Sequence, residues 1–180
     1  SPALFDMDSF TDLGNPRDLA MLDRSILHPG VLIESDEMFW MLMDGEKIEN
    51  YSGDAWPLPE SAFSHPRSAG TFAKILRSYV RERKLMTLKE ALRKMTLMPA
   101  QTLENAVPQM KKKGRLQVGM DADLVVFDLE SIADKATYAE PNQAAEGVQT
   151  VVVDGVLVVE DGKLQVNAAP GKPIRRPRHN

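Results

Sequence analysis

The fold is decided by the stretch Gly119-Met120-Asp121-Ala122-Asp123-Leu124-Val125-Val126-Phe127-Asp128. Its apolar residues, 124–127, follow a glycine and two aspartates and end at a third aspartate, the pattern of a short strand between turns. Two more apolar runs follow, at 148–153 and 156–159, and only Asp154-Gly155 separates them. Because Asp-Gly is a preferred pair for a two-residue hairpin turn, the C-terminal part is predicted to be β-rich.

The residues before this region have the spacing of amphipathic helices. Apolar residues recur every three or four positions between 72 and 80, with basic residues on the opposite face. A second helix is predicted to begin at Thr87, because Thr87 with Glu90 three positions later forms a capping box. Pro99 suits the first turn of a third, short helix. The boundary between a helical half and a β-rich half is predicted near 108–114.

The first part of the chain is predicted to hold a short helix around 19–22, ended by His28-Pro29-Gly30. Val31-Leu32-Ile33 is a short apolar run typical of a buried parallel strand, and it leads into Glu34-Ser35-Asp36. Residues 37–66 have no regular period and are predicted to form a long loop or lid. Loops of this length in compact domains usually have a function.

The composition indicates a globular protein of 180 residues with 43% hydrophobic and 27% charged residues. A formal charge of −4 argues against general nucleic-acid binding. The absence of cysteine excludes disulfides and thiolate metal sites. No stretch is typical of a membrane-spanning helix or a signal peptide, so we expect a cytoplasmic location and no membrane partner.

Asp36 is the first candidate for chemistry. A carboxylate at the end of a buried strand lies on the face where α/β barrels assemble their active sites. Such a group can ligate a metal or carry a proton to a leaving amine. The alternative is that Asp36 caps the next segment or pairs with a nearby arginine.

His65-Pro66-Arg67 is the second candidate. Proline stiffens the backbone, and the planar guanidinium of Arg67 suits two-point binding of a carboxylate. The alternative is a loop arginine in a structural ion pair. Of the other two histidines, His28 is predicted to be structural and His179 to be solvated. The three histidines are scattered along the chain and cannot build a zinc site alone.

Several segments together resemble the D-aminoacylase branch (N-acyl-D-amino-acid deacylases) of the amidohydrolase (urease-related) superfamily. The similarity covers nearly the whole chain from about residue 28. Its segments are Val31-Leu32-Ile33-Glu34-Ser35-Asp36, His65-Pro66-Arg67 with Gly70-Thr71-Phe72, Lys94-Met95-Thr96 with Pro99-Ala100, Gly119 to Asp128, Ala136-Thr137-Tyr138, Pro141 and Val153-Asp154-Gly155.

The resemblance implies a mixed α/β fold in two parts. Residues 1–112 would be the last βα part of a TIM-like (β/α)8 barrel, and 113–180 would be a small β-sandwich region. The resemblance also implies roles at three residues. Asp36 would be a ligand of the metal or lie next to it, and it would serve as the base that activates water and then as the acid that protonates the leaving nitrogen. Arg67, with His65, would bind the carboxylate of an N-acyl amino acid.

The resemblance further implies that most of the catalytic site lies upstream of this chain. We therefore expect the C-terminal portion of a metal-dependent amidohydrolase that hydrolyses a C–N amide bond. Zinc is expected in the full-length parent, and no metal is expected on this chain, which alone should be inactive. Uncovered apolar surface predicts self-association.

Two other functions stay open. One is a cyclic-amide hydrolase related to hydantoinases or dihydroorotases, which the segment around Arg67 disfavours. The other is a non-catalytic scaffold or binding protein that kept only this end of the family's chain.

Overall fold

The computed structural model describes residues 15–37, 40–44, 47–53, 58–59 and 61–176. Helices occupy the first half and an antiparallel sheet the second, with a smaller sheet inserted between the first two helices. In chain order the elements are α1 (Pro16–Leu27), β1 (Met41–Asp44), β2 (Lys47–Asn50), β3 (Ala62–Phe63), α2 (Arg67–Lys74), α3 (Leu88–Leu92), α4 (Met98–Leu103), β4 (Leu124–Phe127), β5 (Val148–Val153), β6 (Val156–Glu160) and β7 (Lys163–Leu164). His179 lies outside the described residues.

The predicted N-terminal helix is present and longer than expected. It starts at the Asn15 cap, whose side chain accepts from the Arg17 amide, and it buries Leu22 and Ile26. The strand predicted at 31–33 is wrong, although these residues are buried. Their backbone pairs elsewhere: the Val31 amide donates to the His28 carbonyl and the Ile33 amide to the Lys94 carbonyl. A buried extended segment becomes a strand only when another strand lies beside it, and none does among the described residues.

The long loop predicted at 37–66 is also wrong for the described residues, because they form a three-stranded sheet with strand order β2-β1-β3. β1 pairs antiparallel with β2, and Leu42 lies opposite both Glu49 and Ala62. Short strands with two or three apolar positions carry too little alternation to stand out in the sequence. The sheet brings Phe63 and the residues after it back toward the end of the 31–36 segment.

Two long helical segments form the centre of the fold. α2 continues without a break into a π-helical segment, Ile75–Glu82, that buries Ile75, Leu76 and Tyr79 as predicted. Phe72, predicted on the same buried face, is 43% exposed. On the predicted basic face, Arg81 binds the chain that follows β4, because its guanidinium donates to the carbonyls of Leu129 and Ile132.

The second helical segment differs from the prediction of two separate helices. Thr87 caps α3 as expected, accepting from the Glu90 amide. The chain then continues through a π-helical turn, Arg93–Leu97, directly into α4. Pro99 therefore lies inside a continuous helical run of the chain. A proline tolerates this position only when the preceding turn is loosened, since it has no N–H and its ring crowds the previous turn.

The C-terminal part is one antiparallel sheet with the order β4-β5-β6-β7. The predicted turn is present, since Asp154 and Gly155 have φ of 50° and 81°. Asp161 and Gly162, with φ of 49° and 72°, form a second turn of the same kind. Two successive positive φ values are those of the type I′ turn that suits a two-residue hairpin. Within residues 113–176 the structure describes this sheet and no second one that would complete the expected β-sandwich.

A hydrophobic core of described residues joins the helical and the β-rich halves. Ile132, from the segment after β4, is buried with residues of α1, α2, α3 and the π-helical segment. Phe127 and Val148 pack against the same cluster. The domain boundary at 112/113 stays a prediction. In the described part of the chain, no helix has both the length and the apolar character to cross a membrane.

Candidate active site

Asp36 and Arg67, the two leading sequence candidates, contact each other. Arg67 Nε donates to the backbone carbonyl of Asp36 at 2.9 Å, and Nη2 donates to its Oδ2 at 3.1 Å. The Arg67 side chain is 9% exposed, whereas that of Asp36 is 60% exposed. The arginine is thus fixed inside the protein and presents the carboxylate toward solvent. This contact is the ion pair that the sequence left open as the alternative for both residues.

The backbone of Asp36 is unusual. Its φ is 44°, in the left-handed region that residues other than glycine seldom adopt. Aspartate tolerates this region better than most residues, yet the conformation persists only where the surroundings enforce it. Arg67 enforces it from one side by binding the carbonyl and the carboxylate of the same residue. Strained backbone held this way is common at functional sites.

Arg67 owes its position to the start of α2. Pro66 precedes the helix as its N-cap residue, and the Thr71 hydroxyl donates to the Arg67 carbonyl at 2.8 Å. Thr71 is itself buried. The first turn of the helix is therefore rigid where the guanidinium leaves it.

His65 is held in one tautomer. Its Nδ1 accepts from the Arg67 amide at 3.2 Å, so in the neutral ring Nε2 carries the proton. Nε2 lies 3.2 Å from the hydroxyl oxygen of Tyr138 and therefore donates to it. The Tyr138 O–H is then directed away from the ring. A cavity of about 220 Å³ opens beside this pair, with Met41 and Phe63 in its walls.

Lys94 holds the chain that leads to Asp36. Its side chain is 1% exposed, and Nζ donates to the carbonyls of His28 at 2.5 Å and Val31 at 3.0 Å. Desolvation lowers the pKa of this buried ammonium. His28 is structural, as expected: besides this contact, its Nδ1 accepts from the Gly30 amide at 3.2 Å.

The described residues do not form a metal site by themselves. No group of three or more His, Cys, Asp or Glu side chains converges anywhere in the described part of the chain. A structural or catalytic zinc needs three or four protein ligands. The exposed Asp36 carboxylate fits the role of one oxygen ligand, and the remaining ligands would have to come from outside the described residues.

Sequence reasoning gave no individual role to Lys94 or Tyr138. A signal for Lys94 was available, since it follows the buried Ala91 by three positions and so falls on the buried face of the helix. A lysine on an apolar stripe requires polar partners. Tyr138 had no such signal, because it lies in an irregular segment far along the chain from His65.

Comparison with known proteins gives consistent matches. A family model described as "Amidohydrolase family" matches residues 9–159. An N-acyl-D-glutamate deacylase of Alcaligenes xylosoxydans xylosoxydans is 40% identical over 119 residues, which are 66% of this chain and 23% of that protein. An N-acyl-D-aspartate deacylase of the same organism is 38% identical over 117 residues, or 65% of this chain and 22% of the relative.

Solved structures give the same match. A crystal structure of D-aminoacylase superposes with a TM-score of 0.62 and 32% identity, covering 82% of this chain and 26% of that one. An N-acyl-D-glutamate deacylase from Bordetella bronchiseptica, solved with zinc and a phosphonate mimic of the tetrahedral intermediate, superposes with a TM-score of 0.59 and 35% identity. The match covers 82% of this chain and 27% of that one. This chain thus spans about a quarter of the length of the proteins it matches.

Proposed function

This chain belongs to the amidohydrolase family, and we propose that it is the C-terminal part of a metal-dependent deacylase acting on N-acyl-D-amino acids. The observation that carries the proposal is the solvent-facing Asp36 carboxylate, fixed at a positive φ by the buried Arg67. The similarity to deacylases of N-acyl-D-glutamate and N-acyl-D-aspartate supports the substrate class. In this proposal residues 1–112 complete a (β/α)8 barrel, and 113–180 form part of a β-sandwich.

In the reaction, water adds to the acyl carbon and the C–N bond breaks. Asp36 would take a proton from the attacking water and pass it to the departing nitrogen, which leaves as the amine. A carboxylate suits both steps because it can accept and return one proton without moving. Its exposure supports this role, since the substrate must reach the carboxyl oxygens.

Zinc in the full-length protein would polarise the scissile carbonyl and lower the pKa of bound water. The zinc-containing structure of the Bordetella deacylase supports this cofactor for the parent. Because the described residues offer Asp36 but no cluster of three ligands, we propose that this chain alone is inactive and holds no stoichiometric zinc.

Arg67 would act in two ways. It fixes Asp36 through Nε and Nη2, and, as the resemblance implies, it would bind the carboxylate of the substrate with help from His65. A planar guanidinium matches the geometry of a carboxylate, which supports this second role.

The test uses the full-length parent with zinc added. It should hydrolyse N-acyl-D-glutamate, N-acyl-D-aspartate or an N-acyl-D-amino acid with an apolar side chain, and it should discriminate against the L enantiomers. The D36N variant should bind substrate with little hydrolysis. Hydrolysis of hydantoins or dihydroorotate instead would favour the cyclic-amide alternative, and hydrolysis of none of these substrates would overturn the proposal.

A further inference from the structure

The side chain of Lys94 and the backbone of Lys94 hold the same short segment. Nζ donates to the carbonyls of His28 and Val31, and the Lys94 carbonyl accepts from the Ile33 amide at 3.2 Å. Three hydrogen bonds that involve Lys94 thus fix residues 28–33. Asp36 follows three positions after this part of the chain, and residues 28–36 are called the segment below. The adjacent Arg93 adds a longer contact, 3.4 Å from Nη2 to the carbonyl of Pro29.

The helix makes the Lys94 carbonyl available for this contact. In an α-helix this carbonyl would accept from Met98, but in the π-helical turn the Met98 amide donates to the Arg93 carbonyl instead. In π-helical spacing it would accept from residue 99, which is a proline and has no N–H. The π turn and Pro99 together therefore leave one main-chain acceptor directed at Ile33. Single π turns of this kind are frequent at functional sites.

Arg67 and Lys94 hold the segment from its two ends. Arg67 fixes the carbonyl and carboxylate of Asp36, and Lys94 fixes the backbone from His28 to Ile33. With both in place, the segment is rigid although no strand among the described residues pairs with it. A rigid segment matters because a displacement of about 1 Å in a reacting group can reduce catalysis about a hundredfold.

We propose that Lys94 is a positioning residue for the deacylase reaction, fixing through its ammonium and its carbonyl the segment that presents Asp36. The inference rests on the proposed function. Lys94 does not touch substrate in this account; it acts only through residues 28–33. Pro99 contributes to the same positioning, because it has no N–H that could compete with the Ile33 amide for the Lys94 carbonyl.

Two variants of the full-length parent test this, with A100G as control. K94M keeps the length of the side chain and removes its donors. P99A keeps the side chain of Lys94 but supplies an N–H that competes with Ile33 for the carbonyl. P99A should also fold well, because alanine is a much better helix residue than proline. Ala100 is equally buried in the same helical run, and its methyl group has no hydrogen-bonding atom, so A100G destabilises the helix while leaving the donors of Lys94 in place.

Hydrogen exchange and kinetics are the readouts. In K94M and P99A the amides of residues 31–36 should exchange faster, while those of 75–82 should keep the wild-type rate. The kcat should fall at least about tenfold in K94M and by about two- to fivefold in P99A with KM within about threefold, as expected for a misplaced reacting group. The melting temperature of P99A should not fall.

Exchange at 31–36 that is unchanged in both variants would overturn the inference. It would also be overturned if kcat in K94M fell no further than in A100G at matched melting temperature. A wild-type parent that hydrolyses none of the substrates would instead overturn the proposed function, and the exchange measurement would still decide whether Lys94 fixes the segment.

Discussion

Arg67 binds Asp36 at two points, the backbone carbonyl through Nε at 2.9 Å and the carboxylate Oδ2 through Nη2 at 3.1 Å. Contact with a main-chain and a side-chain atom of one residue fixes both the direction of its carbonyl and its side-chain rotamer. The buried side of the pair is the cation, and the exposed side is the anion. The carboxylate is therefore held in one place with its oxygens accessible from solvent.

Replacement of Arg67 by lysine should separate its two proposed roles. A lysine carries the charge but has a single donor nitrogen in place of the planar fork, so it cannot reproduce the separate Nε and Nη2 contacts to Asp36. We expect kcat of the parent to fall about ten- to a hundredfold, and KM to rise as well if the guanidinium also binds substrate. Comparing N-acyl-D-amino acids with their C-terminal amides isolates the second role. A KM ratio between acid and amide that is the same in wild type and R67K would show that Arg67 only positions Asp36.

Removal of the Asp36 charge should abolish turnover without unfolding the protein. Asparagine tolerates a positive φ nearly as well as aspartate, so D36N preserves the backbone. The kcat of the parent should fall about a hundredfold or more, the size expected for a lost general acid–base group. D134N is the matched control, because Asp134 is also paired with an arginine, Arg77 at 2.7 Å, but lies outside the site. Equal losses in the two variants would contradict a chemical role for Asp36.

The tautomer of His65 can be measured directly. Because Nδ1 accepts from the Arg67 amide, the neutral ring should carry its proton on Nε2. Nitrogen-15 chemical shifts of the ring should show this in the wild type and also in Y138F, since the backbone contact sets the tautomer. A switch to Nδ1–H in Y138F would mean that Tyr138 controls the ring instead.

Asp23 should make stability depend on pH in the acid range. Arg83 Nη1 donates to Asp23 Oδ1 at 2.7 Å, and Nη2 pairs with Oδ2, linking α1 to the end of the π-helical segment. The hydrogen bonds from Arg83 hold the pKa of Asp23 below its usual 3.8. A lowered folded-state pKa stabilises the protein above the unfolded-state value, and this contribution disappears as pH falls from about 4 through the folded-state value.

The D23N variant should therefore lose stability at neutral pH and little at low pH. We expect a loss of about 1 kcal/mol at pH 7, the size of a well-formed but partly exposed charged pair. Urea unfolding at both pH values measures it. If the two residues stabilise the protein through each other, the double variant D23N/R83M should be about as stable as the less stable of the two single variants. A loss of unfolding free energy equal to the sum of the two single losses would refute the pairing.

The sheet should drive self-association of the 180-residue chain. Val126 in the middle of β4 is 51% exposed, and Leu157 of β6 is 42% exposed. Light scattering should show particles larger than a monomer for the wild type, and V126E should reduce their size. V118E is the control, since Val118 is fully exposed but lies outside the sheet. Equal behaviour of the two variants would rule out the sheet face as the contact.

Features set by neighbouring residues could be predicted from the sequence. The Thr87 cap needs only the Glu90 amide three positions away, and the Asp154-Gly155 turn needs only residues that accept positive φ. The family also followed from the residues quoted for the resemblance, whereas the chemical roles of Asp36 and Arg67 stay predictions. These signals are short in range, so the rest of the fold cannot mask them.

Features set by distant partners could not be predicted. Val31 to Ile33 has the composition of a strand, but its hydrogen bonds go to His28 and Lys94. Asp36 and Arg67 are separated by 31 positions, and no spacing rule relates residues so far apart. Pro99 indicated a helix start, yet the π turn before it lets the helical run continue.

The contact between Asp36 and Arg67 also closes the chain between them into a loop whose two ends are held together. What lies inside that loop, including the small sheet of β1, β2 and β3, can change in length without moving either end. Closing a loop of doubled length costs only about 0.6 kcal/mol more, so insertions there are well tolerated. The fold therefore fixes Asp36 and Arg67 independently of the length of chain between them, and that segment can take up insertions without disturbing the pair.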